Sequence, residues 1–322
     1  MKLLVVGGAG YIGSHMALML VEAGHEVVVL DDLSSGHRQA VLSAELVEAG
    51  LHDAALLDEL LGTRRFDAVM HFASYIQVGE SVRDPAKYYR NNLANTLVLL
   101  EAMVRHGPRC FIFSSTAAVY GMPERVPIEE SAPLRPINPY GHSKRMVEQA
   151  LADFDIAYGI KSVCLRYFNA AGADPLGRIG EGHEPESHLI PLVLQAASGR
   201  RAAVQVFGRD YPTPDGTCVR DYIHVVDLCS AHLAAVERLV AGGESAVYNL
   251  GNGNGFSVQQ VIDTSARVTG RSIRVEHSAR RAGDPPSLVA SAALARRELG
   301  WHPRYPELDA MVRHAWAWEQ RR

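Results

Sequence analysis

The feature that most constrains the fold is a glycine-rich turn close to the N-terminus. Residues 3–6 (LLVV) form a short apolar run of the kind found in buried parallel strands. The run leads into the pattern Gly7-x-x-Gly10-x-x-Gly13, and a helical pattern then continues to Gly24. A turn of this kind lets backbone N–H groups approach a pyrophosphate at a helix N-terminus. The sequence therefore predicts a strand, a ligand-binding turn and a helix in that order.

A second predicted strand supports a dinucleotide as the ligand of this turn. It covers residues 26–30 and is followed by Asp31, which lies 18 residues beyond Gly13. That distance is near the spacing expected for a carboxylate that binds the hydroxyls of an adenosine ribose. Asp31 is therefore the predicted ribose ligand.

Predicted strands and helices alternate about six times along the first half of the chain. This alternation favours an α/β fold with a Rossmann-type doubly wound parallel sheet. From about residue 170 the strands become shorter, and a long loop rich in Gly, Pro and acidic residues appears. We expect residues 1–170 to form the cofactor-binding domain, with a later segment at about 222–251 returning to it. Residues 171–322 are expected to form mainly a smaller C-terminal α/β substrate domain.

The predicted elements can be stated as ranges. The helices are expected at about 54–61, 85–106, 140–158, 189–197, 226–240, 258–268 and 292–299. After the first two strands, further strands are expected at about 66–73, 110–113, 162–166, 204–207, 247–250 and 273–276.

Composition excludes several classes of function. Of the 322 residues, 47% are apolar and 21% are charged, and the net charge is −4. This balance gives no electrostatic reason to expect a nucleic acid or a membrane surface as partner. The four cysteines show no disulfide, redox or zinc spacing, and the fourteen histidines form no tight ligand cluster. We expect no metal, no disulfide and a cytoplasmic location.

A tyrosine and a lysine provide the predicted catalytic pair. Tyr140 and Lys144 are separated by one helical turn, so they share a face of the predicted helix. A nearby cation favours the phenolate, and so does the positive charge of an oxidised nicotinamide. A lowering of about three units from ~10 would place a base near neutral pH. The run Ser114-Ser115-Thr116 ends a predicted parallel strand, at the sheet edge where ligands bind. A hydroxyl there can hydrogen-bond both a substrate hydroxyl and the phenol.

The order of these motifs resembles the extended short-chain dehydrogenase/reductase family, and the likeness extends over essentially the whole chain. Further pieces carry it: Val119-Tyr-Gly121, Asn138-Pro-Tyr-Gly-x-Ser-Lys144, Leu165-Arg-Tyr-Phe-Asn-Ala-Ala-Gly172, Tyr211-Pro-Thr-x-Asp-Gly-Thr217, Val219-Arg-Asp-Tyr-Ile-His-Val-x-Asp-Leu228, Arg281-Ala-Gly-Asp-Pro285 and Glu298-Leu-Gly-Trp301.

The resemblance implies NAD-dependent, reversible epimerisation at C4 of a UDP-hexose through a transient 4-keto sugar. Tyr140, Lys144 and Thr116 would be catalytic, and NAD would be tightly bound and regenerated in each turnover. The implied cofactor ligands are Gly7, Gly10, Tyr11, Ile12, Gly13, Asp31, Ser35, Leu51, Phe72, Ala73, Ser74, Asn91, Ser114, Tyr140, Lys144 and Tyr167. The implied UDP-sugar ligands are Thr116, Tyr140, Asn169, His188, Leu189, Gln205, Val206, Phe207, Arg220, Arg281 and Asp284.

The sequence departs from the family pattern at several positions. Thr116 replaces a common serine but keeps the hydroxyl, whereas Gly50 and Ile76 replace an acid and a lysine near the cofactor, which bears on how tightly NAD is retained. His188 stands where many members have asparagine, which predicts a pH-sensitive diphosphate contact. Leu288 occupies the variable position that faces the sugar.

Three alternatives and one assembly expectation accompany this interpretation. A nucleotide-sugar 4,6-dehydratase needs an Asp-Glu pair where this chain has Ala117-Ala118. A 4-epimerase for another UDP-sugar (N-acetylhexosamine, glucuronate or pentose) remains open. A non-catalytic NAD sensor would not need Tyr140, Lys144 and Thr116 together. The helices at 86–106 and 140–158 carry apolar residues beyond one core-facing stripe, and with the family resemblance they predict a homodimer.

Overall fold

The N-terminal strand, turn and helix form the centre of the molecule in a computed structural model that describes residues 1–281 and 284–322. Strand β1, Lys2–Val6, is buried from its second residue onward because it lies in the middle of the sheet. Helix α1, Tyr11–Glu22, begins directly after the glycine turn. The first predicted unit is therefore confirmed.

The central sheet has seven parallel strands in the order β11-β6-β5-β4-β1-β2-β3. The chain order reverses between β1 and β4, and such a switch point opens a crevice at the carboxyl ends of the strands. This is the predicted Rossmann-type doubly wound fold. The strands of the sheet are β1 Lys2–Val6, β2 Glu26–Asp31, β3 Glu45–Glu48, β4 Ala68–His71, β5 Cys110–Ser114, β6 Lys161–Tyr167 and β11 Ala246–Leu250.

Helices cover both faces of this sheet. One apolar core joins α1 and α8 to a face that includes Leu3 and Val29. The other core packs α2, α5 and α6 on the opposite face, which includes Leu4 and Phe111. The helices are α1 Tyr11–Glu22, α2 Ala54–Thr63, α3 Val78–Arg83, α4 Pro85–Tyr88, α5 Asn95–His106, α6 Pro139–Tyr158, α7 Leu189–Ser198, α8 Val225–Val240, α9 Val258–Thr269, α10 Ala293–Leu299 and α11 Leu308–Glu319.

A smaller group of elements follows β6 and has its own core. Helices α7, α9 and α11 pack together around side chains such as Val193, Val261 and Met311, all of which are fully buried. The short strands pair in three small sheets. They are β7 Asn169–Ala171 with β10 Tyr222–His224, β8 Val204–Phe207 with β13 Val275–Ser278, and β9 Val219–Arg220 with β12 Phe256–Ser257 and β14 Ser287–Leu288.

The structure corrects one predicted helix. The continuous helix expected from Pro85 to residue 106 is instead α4, a π-helical stretch at Tyr89–Ala94, and α5. The π-helical stretch contains Asn92, whose amide exchanges two hydrogen bonds with the backbone of Tyr75, at 2.9 and 3.0 Å. These tertiary bonds accompany the wider turn and fix the loop after β4 against it. Among the described residues, no helix is long and apolar enough to cross a membrane.

Candidate active site

A cavity of about 1440 Å³ opens at the carboxyl ends of the central strands. Ligand pockets usually measure about 300–1,000 Å³, so this cavity is large enough for more than one ligand. Most of the predicted site residues line it. They are Gly7, Gly10, Tyr11, Ile12, Gly13, Asp31, Ser35, Leu51, Phe72, Ala73, Ser74, Asn91, Ser114, Thr116, Tyr140, Lys144, Tyr167, Asn169, His188, Arg220, Arg281 and Asp284.

Four predicted substrate ligands lie off this lining, as far as the described residues show. Val206 is buried in the core of the smaller group, and Leu189 is partly buried against the same core. Gln205 is exposed on β8. Phe207 ends that strand, and its ring lies 3.9 Å from the Arg281 guanidinium carbon. The roles assigned to these four residues stay predictions.

The glycine turn can form only with glycine at two of its positions. Gly7 has φ +77°, and a Cβ there would lie 2.4 Å from the backbone nitrogen of Ala73. A Cβ on Gly13 would lie 2.1 Å from the Gly7 carbonyl oxygen. Any side chain would therefore push the turn away from β4 or from the start of α1. The resulting cradle suits a pyrophosphate at the N-terminus of α1.

Asp31 ends β2 and is 9% exposed. One of its oxygens accepts the backbone N–H of Ala9 at 2.9 Å, and the other accepts that of Leu33 at 2.8 Å. Burial raises the pKa of Asp31, and these two hydrogen bonds oppose the shift. Each carboxylate oxygen keeps a second lone pair, so the side chain can also bind a vicinal diol such as a ribose.

Helix α6 positions the tyrosine and lysine in the cavity. Asn138 caps its first turn by accepting the N–H of Gly141 at 2.9 Å, and Pro139 occupies the first helical position. Lys144 is only 2% exposed. Its Nζ donates to the Ser74 hydroxyl at 2.7 Å and to the Ser114 carbonyl at 2.8 Å. The ammonium therefore links the loop after β4 to the end of β5.

In the protein without cofactor, the pKa of Tyr140 is shifted in the direction opposite to the one expected for the occupied site. Burial raises the pKa of the Tyr140 phenol, and the Thr116 hydroxyl only partly offsets this shift. Burial also lowers the pKa of Lys144 to about 7. Helical spacing places the two groups on one face, but the ammonium is bonded to other partners and is partly deprotonated near neutral pH. It is not the strong nearby charge that the spacing suggested.

Sequence reasoning missed a buried ion pair that lies next to the Ser114–Thr116 segment. Glu148 accepts the Ser115 hydroxyl at 2.6 Å and the Arg166 side chain at 2.9 and 2.6 Å. Arg166 also donates to the Tyr120 hydroxyl, which in turn donates to Asn249. The pair ties α6 to β6 and to the Ser114–Thr116 segment. One signal was available, because Glu148 lies one further turn along the face of Tyr140 and Lys144.

Basic and amide side chains lie on the opposite wall of the cavity. Arg220 contacts Asp284 and donates to the Pro285 carbonyl at 3.0 Å. Asn169 donates to the Asp221 carbonyl at 2.9 Å. A guanidinium here can bind phosphate oxygens in a bidentate manner, although Arg220 must give up or share its Asp284 contact to do so.

Neighbouring carboxylates move the titration of His188 to the alkaline side of neutral pH. Burial alone would lower its pKa, but the charges of Glu181 and Glu186 raise it to about 9. The imidazole is therefore charged through neutral pH, and any loss of that charge falls on the alkaline side. Sequence reasoning also missed Glu181, His183 and Glu186, although their spacing with His188 was visible in the chain.

Taken with the fold, this cavity is that of an enzyme that binds a nicotinamide dinucleotide. Residues 3–251 match the family model described as NAD dependent epimerase/dehydratase family. The chain belongs to that family.

Individual relatives are similar over nearly the full length. A UDP-glucose 4-epimerase from Halalkalibacterium halodurans is 52% identical over 320 residues, covering 99% of this chain and 96% of the relative. The UDP-glucose 4-epimerase from Brucella ovis, crystallised with NAD, has a TM-score of 0.96 at 51% identity and covers 98% of this chain and 97% of its own. The enzyme from Bifidobacterium longum, in complex with NAD+ and UDP, has a TM-score of 0.94 at 39% identity and covers 100% and 98%.

Proposed function

We propose that this protein is an NAD-dependent epimerase that reversibly inverts C4 of a UDP-hexose, converting UDP-galactose and UDP-glucose into each other. The family membership and the full-length similarity to UDP-glucose 4-epimerases support this assignment. The observation that carries it is the meeting of Tyr140, Thr116 and Lys144 in one cavity with a dinucleotide turn and basic residues on the far wall. That arrangement can bind both a cofactor and a nucleotide-sugar.

The cradle and the carboxylate fit NAD. The glycine turn packs too tightly against its own backbone and against Ala73 to accept a Cβ, which leaves a side-chain-free turn at the N-terminus of α1 for a pyrophosphate. Asp31 offers free lone pairs to a ribose diol. A carboxylate at that place repels a 2′-phosphate, which favours NAD over NADP. When bound, NAD supplies the redox chemistry by accepting a hydride from the sugar C4 and returning it. The Ser74 hydroxyl and the Ser114 carbonyl hold the ammonium of Lys144 in place by hydrogen bonds.

The two parts of the chain have different ligands in this proposal. We propose that residues 1–170, together with 222–251, bind the cofactor, and that 171–322 mainly bind the UDP-sugar. Arg220, Arg281 and Asn169 would hold the diphosphate and sugar side, because guanidinium and amide groups donate several hydrogen bonds to phosphate oxygens. The Bifidobacterium longum relative was crystallised with NAD+ and UDP, which supports a uridine nucleotide as the second ligand.

The proton moves through the hydroxyl groups. The Tyr140 phenolate takes the proton of the sugar 4-hydroxyl, with the Thr116 hydroxyl bridging the two oxygens. Once the cofactor has also taken the C4 hydride, the sugar would be a 4-keto compound, and it must present its opposite face while the UDP remains held. The same tyrosine returns the proton to the new hydroxyl. The protein contributes the positions of these groups, and the positive charge of an oxidised nicotinamide would favour the phenolate.

The structure also bears on the dehydratase alternative. Ala117 and Ala118 line the cavity directly after Thr116. Two methyl groups cannot take a proton from C5 or give one to a departing hydroxyl. A 4,6-dehydratase mechanism therefore lacks its acid and base at this place.

The decisive experiment follows hydrogen during turnover. UDP-galactose is incubated with the purified protein in D₂O, and the sugar product is analysed by mass spectrometry. We expect UDP-glucose without carbon-bound deuterium, because hydrogen leaves C4 and returns to it without exchanging with solvent. Deuterium at C5, or a product lighter by one water, would contradict the assignment. Parallel rates with N-acetylhexosamine, glucuronate and pentose derivatives of UDP establish the preferred sugar.

The protein is further proposed to act in the cytoplasm as a homodimer. All four cysteines are free, which suits a reducing compartment. Several apolar side chains are exposed on α3 and α6, including Val82 at 62% and Ile156 at 88%. Sedimentation at micromolar concentration should give twice the 35.1 kDa chain mass. A species of the single-chain mass would contradict the dimer.

A further inference from the structure

A compact cluster of four titratable side chains lies where the loop after β7 enters α7. Glu181, His183, Glu186 and His188 place their polar atoms within 4.8 Å of one another. His183, Glu186 and His188 line the cavity, whereas the Glu181 side chain is 5% exposed and lies behind them. The cluster therefore forms part of the cavity wall.

Both histidines of the cluster contact one carboxylate. The Nδ1 atom of His183 lies 3.0 Å from Glu181 Oε1, and the Nδ1 atom of His188 hydrogen-bonds to the same oxygen. A carboxylate can only accept, so each ring presents an Nδ1–H to Glu181. This leaves the Nε2 atom of each ring for other partners.

Glu186 shapes the backbone of the same loop. Its Oε1 accepts the backbone N–H groups of Ser187 and His188, at 2.7 and 2.9 Å. Its Oε2 is buried and has no hydrogen-bond partner among the described residues, and the side chain is only 3% exposed. Glu186 therefore fixes the backbone at the start of α7, where His188 is the N-cap residue.

Helix α11 and the residues just after it hold the backbone of Glu181 in place. Its backbone carbonyl accepts the indole N–H of Trp318 at 2.8 Å and a guanidinium N–H of Arg322 at 3.3 Å. The ring of His183 packs edge-on against Tyr11, whose hydroxyl donates to the Gly172 carbonyl at 2.7 Å. The carboxylate is thus fixed relative to both α11 and the start of α1.

We infer that Glu181 is a positioning residue, which orients His188 so that the second ring nitrogen donates a charged hydrogen bond to the diphosphate of the UDP-sugar. This inference rests on the proposed function for the identity of the ligand. His188 also precedes the first residue of α7, so its cation adds to the partial positive charge of that helix terminus. A charge-assisted donor and a helix N-terminus together suit a doubly charged diphosphate.

The electrostatics of the loop agree with this arrangement. The groups that face His188 are the carboxylates of Glu181 and Glu186, the ring of His183 and, on the far side of Glu181, Arg322. The two carboxylates outweigh burial and hold the pKa of His188 at about 9. Burial would raise the pKa of Glu181, but the two histidines lower it to about 2. The pair is therefore ionised through neutral pH.

The test measures binding rather than turnover. In a Tyr140→Phe background, which slows interconversion of the sugar, calorimetry gives the Kd of UDP-glucose for the NAD-loaded protein. Glu181→Gln keeps the size of the side chain but removes its charge. We expect it to raise Kd about tenfold at pH 7.5, the cost of one charge-assisted hydrogen bond.

A matched pair of variants separates positioning from a structural role. His188→Asn keeps a neutral donor, and in that background Glu181→Gln should change Kd less than about twofold. An equal tenfold loss in both backgrounds would overturn the inference, because Glu181 would then act through the fold. The pH profile gives a second readout. With His188 present, Kd should rise above about pH 9, and Glu181→Gln should move this rise toward neutral pH, whereas His188→Asn should remove it.

A zinc ion in the same cluster is the competing occupant. Elemental analysis of the purified protein should find far less than one equivalent of zinc, and a chelator should leave the Kd of UDP-glucose unchanged. Stoichiometric zinc, or a Kd that depends on it, would replace the inference. A failure of this test can be told apart from a failure of the proposed function, because the D₂O experiment measures turnover whereas the present test measures binding.

Discussion

Replacing Lys144 with methionine should stabilise the nucleotide-free protein while destroying its activity. Lys144 is 2% exposed, and burial lowers its pKa from 10.5 to about 7. A basic group whose pKa is lower in the folded state opposes folding below its unfolded pKa, because the unfolded chain binds the proton more tightly. The penalty is complete below about pH 7 and is relieved as the pH rises toward 10.5.

The magnitude follows from that shift. At pH 7 the unfolded lysine is fully charged and the folded one is about half charged, which corresponds to about 4 kcal/mol against folding, and at pH 10 about 1 kcal/mol remains. Methionine of similar length removes the penalty but leaves the Ser114 carbonyl without its donor, which costs about 2 kcal/mol. The variant should therefore be about 2 kcal/mol more stable at pH 7 and about 1 kcal/mol less stable at pH 10.

Thermal unfolding of nucleotide-free protein at the two pH values measures this change of sign. For a chain of this size, 2 kcal/mol corresponds to a rise in Tm of about 4 °C. Lys161→Met is the matched control, since that lysine is at the surface and its side chain is 36% exposed, and it should give no such change of sign. A Lys144→Met protein that melts lower at pH 7, or by the same difference at both pH values, would refute the reasoning. Its turnover should fall at least a hundredfold, as for loss of a group that acts on the proton-transfer step.

Further substitutions test the other parts of the site. Tyr140→Phe should lower kcat about 10²- to 10⁴-fold with little change in UDP binding, and near-normal turnover would refute the proton-transfer role. Asp31→Ala should weaken NAD binding and reduce discrimination against NADP, as measured by fluorescence titration; unchanged NAD affinity would show that the ribose assignment is wrong. Arg166→Met leaves Glu148 buried without its cation and should cost about 3–5 kcal/mol of stability in denaturant unfolding, whereas changing both residues to methionine and leucine should recover most of it.

The central fold could be predicted because its signals are local. The apolar run of β1, the glycine turn and α1 occupy consecutive residues, and the steric limits at Gly7 and Gly13 are properties of the turn itself. The later pairing of β11 with β6 was anticipated only as a returning segment. Strand β3 was not predicted, since its short pattern Glu45–Glu48 has exposed acidic ends and only two partly buried residues.

The interruption before α5 shows a different limit. Residues 85–106 carry a helical apolar pattern throughout, so periodicity alone predicts one helix. The π-helical stretch coincides with bonds from Asn92 to Tyr75 and to the Ser143 hydroxyl, residues 17 and 51 positions away. A pattern within one segment contains no information about such partners. The consequence reaches the site, because neighbouring Asn91 lines the cavity from this stretch.

Helix α6 shows both what local spacing predicts and what depends on distant partners. Spacing along α6 correctly places Tyr140, Lys144 and Glu148 toward the same side, since they follow one another at intervals of four residues. What each group does there depends on partners from other strands: Ser74 and Ser114 for the ammonium, and Arg166 for the carboxylate. The Lys144 ammonium hydrogen-bonds to groups 70 and 30 residues away. It does not act mainly on the phenol of Tyr140, one helical turn earlier. Helical spacing therefore identifies which residues form the site, whereas burial and distant hydrogen bonds determine their pKa values.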